Sequence, residues 1–428
     1  MTPTIELGEM RHGEEVGPPP DPPRPSSRSL RIAALCSVVL LTLAGAAPTP
    51  VWPRPVLVPA PQGATFLVVG DRLVVADGPN TVGGDGRLVA AYRLPGGEPL
   101  WRLGMPGGDH VLGVGMVAGT LLVSSSPAGA GDPTSTAVDI DTGRVRWREP
   151  GYPLPTQDGR LLFARSRPDG TWTLRLVDPA SGSSRWSLPM PSNGAEYRFG
   201  DRGVAEIVLL TVDGRVEIRD PGSGGLLRAG RVPSAADGVS YRFNQVVGDL
   251  LLLDDGAGWI SGYGLERLDR RWTIPVDLRT AAYFQDCGHV ICLRDRDARL
   301  RLIDPATGRS RWTGERWFAV FPVGDRLLAA EAGVGPEPEL VALDPATGRR
   351  VGRLGRWQLA GPELSGQPLI GLRRLPGDRE LVAELDVAAG QVRVRDVLPG
   401  AWNDCAVVSA TMVCQRPAGG LAVWRLDH

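Results

Sequence analysis

A side chain that does chemistry needs a partner: a base beside a nucleophile, a second carboxylate, or a set of metal ligands. Little in this 428-residue chain meets that need. Its four histidines are His12, His110, His289 and His428, none inside a motif. No GxSxG elbow is present to expose a serine nucleophile. Every basic residue is Arg, so no Lys is on hand as a Schiff-base amine, a P-loop cation or a catalytic base. A GC-rich genome, as in actinobacteria, would explain that bias without any functional pressure. The acidic runs Asp254-Asp255 and Asp295-Arg296-Asp297 read as strand-end turns, with a calcium role as the other reading. The residues therefore name no catalytic, cofactor-binding or metal site.

Of the five cysteines, Cys36 lies in an apolar run and the other four form two close pairs, Cys287/Cys292 and Cys405/Cys414. The second pair flanks a strand–turn–strand, Ala406 to Val413, and the first brackets Gly288-His289. Two disulfides in an oxidising compartment fit this arrangement. A four-thiolate metal site is the alternative, although neither spacing is CxxC and the pairs are far apart in sequence.

A degenerate unit of about 40 residues repeats from about residue 60 onward. Its mark is Asp, then Gly four positions on, then often Trp four beyond. Clean copies are Asp139-Gly143-Trp147, Asp178-Gly182-Trp186 and Asp304-Gly308-Trp312. Asp220-Gly224, Asp344-Gly348 and Asp386-Gly390 lack the Trp; Arg93-Gly97-Trp101 and Gly264-Leu268-Trp272 are eroded. A last half-copy runs from Leu421 to Asp427. Within one unit, Ala281–Phe284, Val290–Leu293, Leu300–Ile303 and Ser310–Thr313 read as four short antiparallel strands with no room for a helix. The Asp304–Gly308 segment reads as a tight turn. Such units build a β-propeller, with the Trp filling the wedge where neighbouring blades splay. Val56-Leu57-Val58 could supply the strand that the last half-copy lacks, and so close the ring. Nine third strands can be counted; eight four-stranded blades are expected, one eroded unit failing to form.

The segments Ala137-x-Asp139-x-x-Thr142-Gly143-x-x-x-Trp147 and Ala342-x-Asp344-x-x-Thr347-Gly348 resemble the tryptophan-docking motif of PQQ-like (quinoprotein-type) β-propellers. The resemblance covers roughly residues 60–428. It implies the fold; the superfamily spans PQQ-dependent dehydrogenases, outer-membrane assembly scaffolds and binding proteins without cofactor. The enzymes it includes carry an adjacent cysteine pair, which this chain lacks. No cofactor is expected, and a quinoprotein-type oxidoreductase is the alternative reading.

Residues 1–29 are polar and proline-rich, and disorder is expected there. Residues 30–48 hold an uncharged apolar core, Ile32 to Ala47, preceded by Arg24, Arg28 and Arg31. That reads as a single membrane-spanning anchor with the tail in the cytoplasm; a cleaved signal peptide with its site near Ala44-Gly45-Ala46 is the alternative. Residues 49–60 are the linker with the closing strand, and 61–428 the propeller. The 56 Gly and 39 Pro suit a loop-punctuated all-β domain. With 47 basic against 48 acidic residues, no nucleic-acid partner is indicated. The expected role is a non-catalytic, extracytoplasmic binding scaffold for a cell-envelope or membrane protein.

Overall fold

Leu250-Leu251-Leu252-Leu253 shows how this sequence makes a propeller. On a strand, alternate side chains point to opposite faces, and both faces here are buried: Leu250 and Leu252 pack with Phe284 and Ile291, Leu251 and Leu253 with Val208 and Ile218. A sheet with two apolar faces must sit between two others, and a ring gives every sheet two neighbours.

The structure is a computed structural model. It describes Ile32, Leu35 and residues 54–426, apart from 79–86, 106–108, 128–131, 167–168, 236–237, 239–240, 255–257, 280, 296–298, 332–336, 362–368, 401 and 409. The strands form nine four-stranded antiparallel sheets. Blades 1 to 8 run Thr65–Gly104, His110–Pro150, Pro153–Met190, Ala195–Arg231, Asn244–Pro275, Ala281–Gly314, Trp317–Arg356 and Gln358–Pro399. Blade 9 takes Asn403–Val408, Thr411–Gln415 and Leu421–Arg425 from one end of the propeller and Val56–Val58 from the other. Val56, Leu57 and Val58 pair antiparallel with Val423, Ala422 and Leu421, so the two ends of the propeller sequence meet in one sheet. Nine hydrophobic clusters accompany the nine blades, each drawing on two adjacent ones. Each fully buried Leu or Ile in them contributes about 1.5–3 kcal/mol by leaving water.

The expectation of eight blades is corrected to nine. The eroded repeats at Arg93 and Gly264 both form complete blades, because the alternating apolar strands build the blade, while the Asp–Gly–Trp signature fixes one turn and its junction with the neighbouring blade.

The meander sorts the loops. Turns between first and second strands and the Asp–Gly turns between third and fourth share one face of the ring. Loops between second and third strands share the other with the links between blades. Among the described residues no helix is long and apolar enough to cross a membrane. The expected span, 30–48, lies outside the described residues except for Ile32 and Leu35.

Candidate functional site

The repeat residues act on the next blade. In the turn itself, Asp139 Oδ1 accepts from the amides of Asp141 and Thr142 and from the Thr142 hydroxyl, and Gly143 closes the turn onto the Asp139 carbonyl at 2.8 Å with φ of +71°. The outer oxygen takes a salt bridge from Arg146. These bonds, the one from Arg146 foremost, hold the Asp139 carboxyl down at about 2. Asp178 bonds Ser181 in the same way and Asp344 bonds Thr347, while Asp304 accepts two bonds from Arg311 at 3.1 and 2.7 Å. The carboxylates of the repeat are thus occupied within their own turns.

The tryptophans reach across. Trp101, Trp147, Trp186, Trp272 and Trp312 donate Nε1–H to the carbonyls of Ile140, Pro179, Pro221, Pro305 and Pro345, at 2.8, 2.9, 3.1, 2.8 and 3.1 Å. Each ring also lies over the glycine of the turn it meets. A β-carbon on Gly143 would come within 2.6 Å of Trp101, one on Gly308 within 2.7 Å of Trp272, and one on Gly348 within 2.5 Å of Trp312. Three other junctions use different fillings. Between blades 7 and 8, Gly352 replaces the Trp, and a β-carbon on Gly390 would lie 2.6 Å from its Cα. At the closure, Val56 and Val58 lie against Gly97. Between blades 4 and 5, Arg228 stands in the Trp position.

Two disulfides staple inner hairpins. Cys405 and Cys414 are opposite one another across the first hairpin of blade 9, with Cα atoms 4.0 Å apart. Cys287 and Cys292 bridge the corresponding hairpin of blade 6. All four are buried in the inter-blade cores, which places them beyond the reach of a metal or a substrate. His289 is exposed at the tip of the second hairpin and His110 opens the first strand of blade 2. Among the described residues no group of three or more His, Cys, Asp or Glu could hold a metal ion. Asp254 is buried, and its Oδ1 accepts the Phe243 amide at 3.0 Å. Asp255, Arg296 and Asp297 lie outside the described residues, as do His12, Cys36 and His428.

Concavity is found on the face of the second-to-third-strand loops. Two adjoining cavities of about 390 and 660 Å³ share Pro275, Val276 and Asp277 at the outer ends of blades 5 and 6. Leu293 and Leu300 give the first an apolar lining; Arg242 and Arg279 edge the second. Arg279 is held by Asp277 through two side-chain bonds, and Arg301 Nη2 donates to the Pro275 carbonyl at 3.4 Å. This groove offers guanidinium donors beside apolar surface, which suits binding. Sequence reasoning missed it, since it joins residues from two repeats. It also missed the Arg seven positions after the Asp, although Arg146, Arg185 and Arg311 each precede a docking Trp in plain view.

A closed ring of nine four-stranded blades with inter-blade tryptophan docking defines a repeat β-propeller. The family model described as outer membrane protein assembly factor BamB (PQQ_2) matches residues 84–314, and the chain belongs to that family. No curated protein matches it. Among solved structures, BamB from Moraxella catarrhalis is similar at 13% identity and TM-score 0.41, covering 87% of this chain and 97% of that one. The computationally designed Ika8 protein is similar at 15% identity and TM-score 0.42, covering 71% and 93%. A chain of the mitotic checkpoint complex follows at 13% and 0.35, covering 63% and 84%. All three fall below a TM-score of 0.5, so the fold rests on the sheet topology itself.

Proposed function

We propose that this protein is a non-catalytic binding scaffold that works outside the cytoplasm. Residues 30–48 anchor it in the membrane, residues 1–29 lie on the cytoplasmic side, and the propeller engages a cell-envelope or membrane protein. The observation that supports this most is where the repeat's polar groups go. The carboxylates, indoles and glycines that mark the sequence are engaged in holding blade to blade. What remains for a partner is a rim of loops contributed by many blades, the arrangement that favours recognition over a broad surface. Membership of a family described as an assembly factor agrees with a scaffold role. The groove over blades 5 and 6 is a concave part of the rim and the first place where a contact is expected.

The test is crosslinking of the full-length protein in intact cells, followed by recovery from the membrane fraction and mapping of the linked residues. A reproducible envelope partner joined to propeller loops supports the scaffold. Recovery of the bare protein, together with saturable binding of pyrroloquinoline quinone in calcium, would replace it with the oxidoreductase reading.

A further inference from the structure

The five tryptophan-docked junctions share one construction, and the junction between blades 4 and 5 departs from it at both partners. Arg228 stands where the Trp belongs, and its Nε donates to the Leu265 carbonyl at 3.3 Å. That carbonyl occupies the same place in its turn as those of Ile140, Pro179, Pro221, Pro305 and Pro345. Leu268 stands where the glycine belongs. It keeps the turn, its amide bonding the Gly264 carbonyl at 2.8 Å, and it takes the left-handed φ of +56° that normally falls to glycine. Its buried side chain lies over Gly230, where a β-carbon would meet Leu268 Cδ1 at 2.6 Å. Bulk has moved from one side of the junction to the other, and a guanidinium has replaced an indole.

A charge network surrounds the exchange. Glu206 accepts from Arg228 Nη2 at 2.6 Å through one oxygen and from Arg198 Nε at 2.9 Å through the other. Arg198 reaches on towards Asp249 of blade 5, Nη1 to Oδ1 at 3.8 Å. The Asp249 carbonyl in turn accepts the Leu265 amide at 2.9 Å, so both arginines converge on one corner of blade 5. The Glu206 side chain is only 10% exposed, while Arg198 and Arg228 are about one-third exposed. Burial by itself would raise the Glu206 carboxyl; the bonds from the two guanidinium groups outweigh it and hold that carboxyl below its ordinary value. Neutral indole-to-carbonyl bonds under a half-buried ring respond little to salt. Partly exposed ion pairs are screened by it.

We propose that the blade 4–blade 5 junction is an ionic joint set among aromatic ones, and that rising ionic strength loosens the ring selectively there. Amide hydrogen exchange of the full chain, compared between about 0.05 and 1 M NaCl, tests it. The Leu265 and Leu268 amides should exchange about three- to fivefold faster at the higher salt, while the tryptophan-docked turns Asp220–Gly225 and Asp344–Arg349, whose aspartates bond Ser223 and Thr347 rather than an arginine, hold steady. Glu206→Gln should give the fast exchange already at low salt and abolish the salt response at that turn alone. Arg228→Trp combined with Leu268→Gly should rebuild an aromatic joint with a protected, salt-insensitive turn. An equal salt response in all three turns, or a salt response at Leu265 and Leu268 that survives Glu206→Gln, would overturn the proposal. Should the double variant fail to fold, the Glu206→Gln comparison still decides.

Discussion

Trp272 and Gly308 belong to adjacent blades, yet the indole occupies the space into which a β-carbon on Gly308 would project, 2.7 Å from Cγ. The same ring hydrogen-bonds the Pro305 carbonyl three residues earlier in that turn. One glycine therefore meets two demands, a φ of +69° and contact with an aromatic face.

The two demands can be separated. Gly308→Ala should lose about 2–4 kcal/mol, roughly 1 from the left-handed backbone and the rest from overpacking against Trp272. Gly159→Ala has a similar φ, +77°, but open space around it. It should lose only about 1 kcal/mol. Equal losses in urea unfolding of the two variants would show that the contact with the ring contributes nothing.

Acid should weaken the turns. The Asp139 carboxyl titrates at about 2 in the fold against 3.8 ordinarily, and Asp178, Asp304 and Asp344 are also lowered. A lowered carboxyl gives its full contribution above the unfolded value and loses it as pH falls through the folded one. Unfolding midpoints should therefore decline from about pH 4 to pH 2, and Asp139→Asn should decline less over that window because it has already lost the charge.

A shift of the opposite sign sits at the other face of the ring. Glu380 is 5% exposed, and its Oε2 has no hydrogen-bond partner among the described residues. Burial pushes its carboxyl up to about 7; Arg374 opposes this and Glu337 adds to it. A raised carboxyl contributes fully below its ordinary 4.5, and that contribution is lost as pH rises through 7. The protein should thus be more easily unfolded at pH 8 than at pH 5. Glu380→Gln should raise the midpoint at pH 8 and leave that at pH 5 nearly unchanged; an unaltered pH 8 midpoint would remove Glu380 as the cause.

The disulfides should matter to stability and be hard to reach. Replacing Cys405 and Cys414 together by Ser should lose about 2–3 kcal/mol, the entropy of one short closed loop in the unfolded chain. Since Cys405 is 5% exposed and Cys414 fully buried, thiol labelling after mild reductant should appear only as the fold opens. Labelling at native rates would contradict that burial.

How much of this could be read from the sequence differs from residue to residue. The strands of blade 6 lie within a residue or two of where the alternation puts them, Ile291–Asp295 and Leu300–Ile303 among them. Local patterning is enough for such elements, because each strand's two faces are written in consecutive residues. Blade number was misjudged at the eroded copies for the converse reason: Gly264 and Leu268 spoil the turn signature, while Trp259–Gly264 still pairs along its whole length. Arg228 was illegible as a docking residue, since only its approach to Leu265 on another blade shows that it does an indole's work. The groove at Pro275 and Leu300 was illegible likewise. Contacts between repeats depend on how the sheets are stacked, and no spacing within one repeat encodes that.

The sheet that joins Val56–Val58 to Leu421–Arg425 sets a constraint in time. Ribosomal synthesis produces the first of these strands before the other eight sheets and its partner after them. While the intervening blades emerge, Val56 and Val58 have no mate, and the flank of blade 1 around Leu73 and Tyr92 that they will cover stays bare. Eight finished sheets do not make this molecule: the latch closes only once Leu421–Arg425 has emerged. Until then a nascent propeller carries an open apolar edge, the period in which a chaperone would have most to do.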